Sequence, residues 1–186
     1  VMSVSAFYLL KRRHEELARR AFTVGLVFAA LSSVLILVSG HSQAVAVAEN
    51  QPAKLAAFEG HFHTGDGATA LYAIGWPDEE AEQVRMGVAI PGMLTFLVHG
   101  DFSTPVEGLD QTPPEDRPPV VIPFVTYHVM VGLRMYFIGL TLLGLFLLWR
   151  KKLFQMRWLL WVFVLSVPLP YVANQAGWVA TEVGRQ

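Results

Sequence analysis

The sequence predicts an all-α integral membrane protein, a bundle of transmembrane helices with one long external loop. Three observations carry this reading. Of the 186 residues, 53% are hydrophobic and only 16% charged, a balance more apolar than that of soluble domains. Apolar runs at 21–40 and 123–149 are long enough to cross about 30 Å of hydrocarbon at about 1.5 Å per residue. Charge is segregated as well: Lys11, Arg12, Arg13, Arg19 and Arg20 crowd one short linker, and Arg150, Lys151, Lys152 and Arg157 crowd another. Between His41 and Ile122, only Lys54, Arg85 and Arg117 stand against twelve Asp and Glu.

Basic short linkers face the cytoplasm, which orients every element. Residues 1–10 read as the inner end of a transmembrane helix that starts upstream, and 11–20 as a cytoplasmic basic linker. The span at 21–40 runs outward, 41–122 form the external loop, and the span at 123–149 returns the chain inside. A second basic linker at 150–157 precedes a third span, 158–179, which Pro168 and Pro170 should kink, and 180–186 end outside. Trp149, Trp158 and Trp161 fall where interfacial aromatics are expected. Within the loop, Pro52 should open a short helix that Gly60 stops, and a loop this long and punctuated is expected to be functional and mobile. The absence of cysteine excludes disulfides, thiolate metal sites and a cysteine nucleophile. No phosphate-binding glycine loop and no basic stripe for nucleic acid is present.

Several residues could carry chemistry. Lys54 and Glu59, on the small-residue frame QPAKLAAFEG at a bilayer edge, suit binding and deprotonating a small lipid-borne polar ligand; spacing alone favours two solvated charges. The two are about 140° apart around a helix, so a shared face requires local irregularity or a ligand that wraps the helix end. His128 and Met130 point about 200° apart on the next span, so one helix face offers a metal one of them at most. A methionine thioether is an axial haem ligand type, and packing is the alternative. Arg134, deeper in that span, needs a partner such as a haem propionate or an acid. The pair His61 and His63 lacks a third metal ligand and reads as solvated. Asn174, Gln175, Glu182 and Arg185 flank Trp178; Gln175 and Glu182, two turns apart, could line a cofactor pocket or cap and contact headgroups.

Three ordered patterns resemble subunit I of the cytochrome bd-type quinol oxidases across nearly the whole chain. They are QPAKLAAFE at 51–59, similar to the Q-loop signature of that family, HVMVGL after the loop, and GWVATEVGRQ at 177–186, similar to its GWxxxExGRQPW. The resemblance implies a multi-pass subunit of the bacterial cytoplasmic (inner) membrane, its long loop outside, that oxidises quinol at the outer face. It implies reduction of dioxygen to water through a low-spin haem b, a high-spin haem b and a haem d, and a proton-motive force built without pumping. Implied partners are subunit II, a small accessory subunit and membrane lipid, with no nucleic acid. By position, Lys54 and Glu59 match the residues of quinol binding and oxidation, and Met130 matches the axial ligand of the low-spin haem iron. Gln175 stands where the glutamate ligand of the high-spin haem b is usual, with Trp178 beside it, and His128 stands where arginine is common. The sequence Gly40-His41-Ser42-Gln43 departs from the usual GDxxG, and the short loop is similar to the cyanide-insensitive branch. Histidine haem ligands are expected before Val1. The rival reading is a non-redox transporter or structural membrane subunit, in which Arg134, His128 and the kinked last span form a polar path without haem.

Overall fold

A computed structural model describes residues 1–184. Seven α-helices and one hairpin follow in chain order: α1 (Met2–Leu10), α2 (Glu15–Asn50), α3 (Pro52–Glu59), β1 (Leu71–Asp78), β2 (Gln83–Ile90), α4 (Met93–His99), α5 (Val121–Trp149), α6 (Arg157–Leu165) and α7 (Leu169–Val183). By length and apolarity α2 and α5 can each cross a membrane, with mean hydropathies of 2.5 and 2.0 over their most apolar windows. The pair α6 and α7, bent by 40° at the break between them, makes a third candidate span. Pro168 and Pro170 explain the break, since neither can donate the backbone hydrogen bond that would continue α6.

The chain divides into two compact units. The first comprises residues 1–38 and 132–173. Its core is Ala6, Leu10, Phe22, Leu26, Leu140, Leu147, Leu153, Leu159, Leu160 and Phe163. Phe22 meets Phe163 edge to face, with ring centroids 4.9 Å apart. Within this unit the Tyr136 and Ser166 hydroxyls hydrogen-bond at 2.6 Å where α6 ends. The helix α2 starts inside the expected basic linker because Glu15–Arg19 and Glu16–Arg20 pair one turn apart and support it there. It also runs past Gly40 to Asn50, through alanine-rich sequence free of proline, and stops just before Pro52.

The second unit comprises residues 39–131 and 174–186. Its core has two parts: Ala53, Ala56, Ala57, Phe62, Leu109, Val120 and Phe124, and a smaller group of Leu55, Leu94 and Val106. The expectation of an all-α chain is corrected here, because 71–90 form an antiparallel two-stranded sheet with Leu71 opposite Ile90 and Asp78 opposite Gln83. Asp78 builds the turn, its Oδ1 accepting from the Glu80 and Ala81 amides, and Arg85 pairs with Asp78 across the strands. The rest of the stretch is tied down too. Leu109 and Asp110 donate to the His61 and Phe62 carbonyls, and Thr69 and Thr95 bond each other. Glu79 accepts from the Val120 and Val121 amides at 2.7 and 3.0 Å, a favourable carboxylate at the start of α5.

Candidate functional site

Local rules place α3. Pro52 occupies the first turn, where its missing N–H is harmless, and Gly60 ends the helix at φ 62° and ψ 34°, the left-handed conformation glycine adopts without strain. The alanines at 53, 56 and 57 let neighbouring segments approach closely, so every residue of α3 after Pro52 is buried. That burial includes two ionisable side chains. Lys54 is 7% exposed and Glu59 3%.

The two charges meet different neighbours. The Lys54 ammonium lies 5.9 Å from the Phe58 ring centroid, and Phe58 in turn stacks on Tyr127 of α5 at 4.9 Å. Tyr127 donates its hydroxyl to the Glu59 carboxyl, while Glu59 Oε2 has no hydrogen-bond partner among the described residues. Loss of water on burial pushes the Glu59 carboxyl up to about 7, and the Tyr127 hydrogen bond offsets only part of that. No ion pair joins Lys54 to Glu59 in the described structure. The arrangement is a buried acid whose raised pKa suits it to proton exchange near neutral pH, with one oxygen held by Tyr127 and the other buried without a hydrogen-bond partner among the described residues.

The start of α5 grips a second piece of the unit. His128 Nδ1 lies 2.8 Å from the Phe124 carbonyl of its own helix, and Nε2 lies 2.7 Å from the Tyr72 carbonyl of β1. Its ring stacks on Phe124 at 4.0 Å. Both nitrogens face backbone carbonyl oxygens, which accept from whichever nitrogen carries a proton, and this places His128 between hairpin and helix.

Met130 is half-buried, and a Cβ added at Gly177 of α7 would lie 2.6 Å from its sulfur. The thioether therefore occupies the notch that the glycine leaves. A thioether is a soft, neutral donor of the type a haem iron accepts, so the chemistry of this side chain fits that group. Gln175 and Trp178 are exposed side chains on α7, Trp178 by 62%. Arg134 belongs to the first unit and is half-buried there. His61 Nε2 contacts the Val106 carbonyl, and His63 pairs with Glu82. Among the described residues, no group of three or more His, Cys, Asp or Glu is arranged to hold a metal ion.

The C-terminal pattern reaches the loop pattern directly. A Cβ at Gly184 would lie 3.1 Å from Phe58 Cε1 and 3.5 Å from Lys54 Cγ, so the end of α7 packs on α3 through that glycine. The last two residues of the pattern, Arg185 and Gln186, lie outside the described residues. Sequence reasoning missed Tyr127, Gly177 and Gly184 as partners of this site. The one available signal was Tyr127, a phenol at the head of an apolar run, whose hydroxyl needs a hydrogen-bond partner once buried.

Residues 1–186 match the model of the family described as Cytochrome bd terminal oxidase subunit I. Among curated relatives, cytochrome bd ubiquinol oxidase subunit 1 of Bacillus subtilis (strain 168) is 32% identical over the whole chain, which covers 42% of that protein. Cytochrome bd-II ubiquinol oxidase subunit 1 of Escherichia coli (strain K12) is 28% identical, and the whole chain covers 49% of it. Among solved structures, the bd oxidase from Geobacillus thermodenitrificans superposes with a TM-score of 0.90 at 31% identity, covering all of this chain and 42% of that one. The chain thus spans less than half the length of these relatives. It belongs to the cytochrome bd terminal oxidase subunit I family, a family of membrane cytochromes and hence of haem proteins.

Proposed function

We propose that this chain carries the quinol-oxidising site of a terminal oxidase that reduces dioxygen to water. The observation that carries the reading is Glu59: a buried carboxyl, one oxygen unpartnered, on the segment that also holds Lys54. Oxidation of a quinol releases two protons and two electrons. Glu59 takes a proton from a quinol hydroxyl at Oε2, and Lys54 donates a hydrogen bond to a quinol oxygen. Met130 would hold the iron of a low-spin haem b through its thioether, and His128 fixes the hairpin to the helix that bears Met130. A haem iron, when bound, supplies the one-electron acceptor. Trp178 and Gln175, exposed on α7, face the cofactors or subunits that surround this segment in the complete protein.

In the complete protein we place this site on the outer face of a bacterial inner membrane, beside subunit II and a small accessory subunit. There a high-spin haem b and a haem d complete the path to oxygen. Protons released outside and consumed from inside then build a proton-motive force without pumping. The test compares donors in the purified oxidase. Glu59→Gln and Lys54→Ala should each lower quinol-driven oxygen uptake at least tenfold while an artificial electron donor still supports it. Equal loss with both donors would refute the assignment to quinol.

A further inference from the structure

The head of α5 presents two consecutive side chains to two different parts of the second unit. His128 holds β1 through the Tyr72 carbonyl, and Tyr127 holds α3 through Phe58 and Glu59. The Tyr127 ring lies nearly parallel to Phe58, at 13°, so stacking fixes the direction in which its hydroxyl points. That hydroxyl meets a carboxyl whose other oxygen is buried and unpartnered. An oxygen so placed is able to accept a hydrogen bond from a donor that the described residues do not supply.

We propose that Tyr127 is a positioning residue of quinol oxidation, holding one carboxyl oxygen of Glu59 so that Oε2 is presented to the quinol hydroxyl. The inference rests on the reading of Glu59 as proton acceptor. In the step it serves, the quinol O–H bond breaks, a new O–H bond forms at Glu59 Oε2, and the Tyr127 hydroxyl stays on the other oxygen without giving up its proton. Its second effect is electrostatic. A donated hydrogen bond favours the carboxylate over the acid and keeps more of Glu59 ready to accept a proton at neutral pH.

The ionisable groups on the elements around Glu59 are Lys54 on α3, His61 just after it, Asp110 on the turn at 109–111 that packs on α3, Tyr127 and His128 on α5, Glu182 on α7, and the hairpin groups. Of the last, Asp78 and Arg85 pair with each other, Glu82 pairs with Arg117 and His63, and Glu79 caps α5. Tyr72 and Glu80 complete the hairpin set. Tyr127→Phe removes one of these groups and leaves the chemical identity of every other one in place.

The variant is therefore Tyr127→Phe in the complete oxidase, which keeps the stack on Phe58. Oxidation of short-chain ubiquinol and menaquinol analogues is followed from pH 5.5 to 9, beside oxygen uptake with an artificial electron donor. The rising limb of kcat/KM should move up by about one pH unit, the size expected for one lost hydrogen bond to a charged group. At pH 7 kcat/KM then falls about five- to tenfold, recovers toward pH 9, and the artificial-donor rate is unchanged. An unmoved limb, with or without a uniform loss of rate, overturns the inference. Glu59→Gln separates the two levels. If it abolishes the limb while Tyr127→Phe leaves it in place, only the role of Tyr127 falls; if it leaves quinol oxidation intact, the proton-acceptor reading itself falls.

Discussion

Replacing Glu59 by glutamine should stabilise α3 while it removes the proposed proton acceptor. Burial raises the Glu59 carboxyl from 4.5 to about 7, so its ionised form is disfavoured in the folded chain by about 3 kcal/mol. The folded state binds this proton more tightly than the unfolded state does. The stabilisation that goes with the bound proton is complete below pH 4.5, declines as pH rises, and is gone once pH passes about 7. Glutamine is neutral at every pH, nearly isosteric, and keeps an oxygen for the Tyr127 hydroxyl. The two proteins should therefore be equally stable near pH 4.5, and the variant should be more stable by about 3 kcal/mol at pH 8. Amide hydrogen exchange over residues 52–59 of the intact oxidase, compared between variant and parent at each pH, reads that difference as slower local opening. A gap of equal size at both pH values, or a variant less protected at pH 8, would refute the account of Glu59 as a destabilised buried acid.

Two glycines give sharp tests of the packing. Gly177→Ala places a methyl 2.6 Å from the Met130 sulfur, which must move; a shift in the absorption band or midpoint potential of the low-spin haem is expected, and an unchanged spectrum and potential would remove Met130 from the ligand set. Gly60→Ala forces a side chain into φ 62° and against Val84 Cγ2 at 2.8 Å. It should lower stability by about 1–2 kcal/mol in thermal unfolding, and a neutral effect would show that α3 does not need this stop.

What was legible in the sequence followed from rules that act within a few residues. Pro52 and Gly60 delimit α3 as expected, and continuous apolar runs locate the two long spans. The hairpin was hidden for a local reason as well. Gly75, Pro77 and Gly87 interrupt the alternation of apolar and polar residues, and the register shifts twice along β1, so the period of two never becomes clear. The site was half legible. Lys54, Glu59 and Met130 stand in recognisable patterns, whereas Tyr127, Gly177 and Gly184 matter only because distant segments come together around α3 and α5. A glycine whose value lies in what approaches it carries no signal along the chain.

The separation of Lys54 from Glu59, unpromising as spacing, acquires a physical purpose in the fold. The helix α3 is buried on all sides, yet its lysine sets its ammonium over Phe58 and its stem beside Gly184 while its carboxyl meets Tyr127. Had the two formed an ion pair, the nearby positive charge would have held the carboxyl below its ordinary range, permanently ionised and a weak proton acceptor. Kept from the lysine and stripped of water, Glu59 instead titrates close to neutral pH, where a base is both ionised for much of the time and strong enough to take a proton. Separate faces therefore allow separate roles, with Lys54 orienting an oxygen of the proposed substrate and Glu59 receiving its proton. The alanines of the frame are what make this possible in space: at 53, 56 and 57 they bring the neighbouring segments close enough to strip the acid of water.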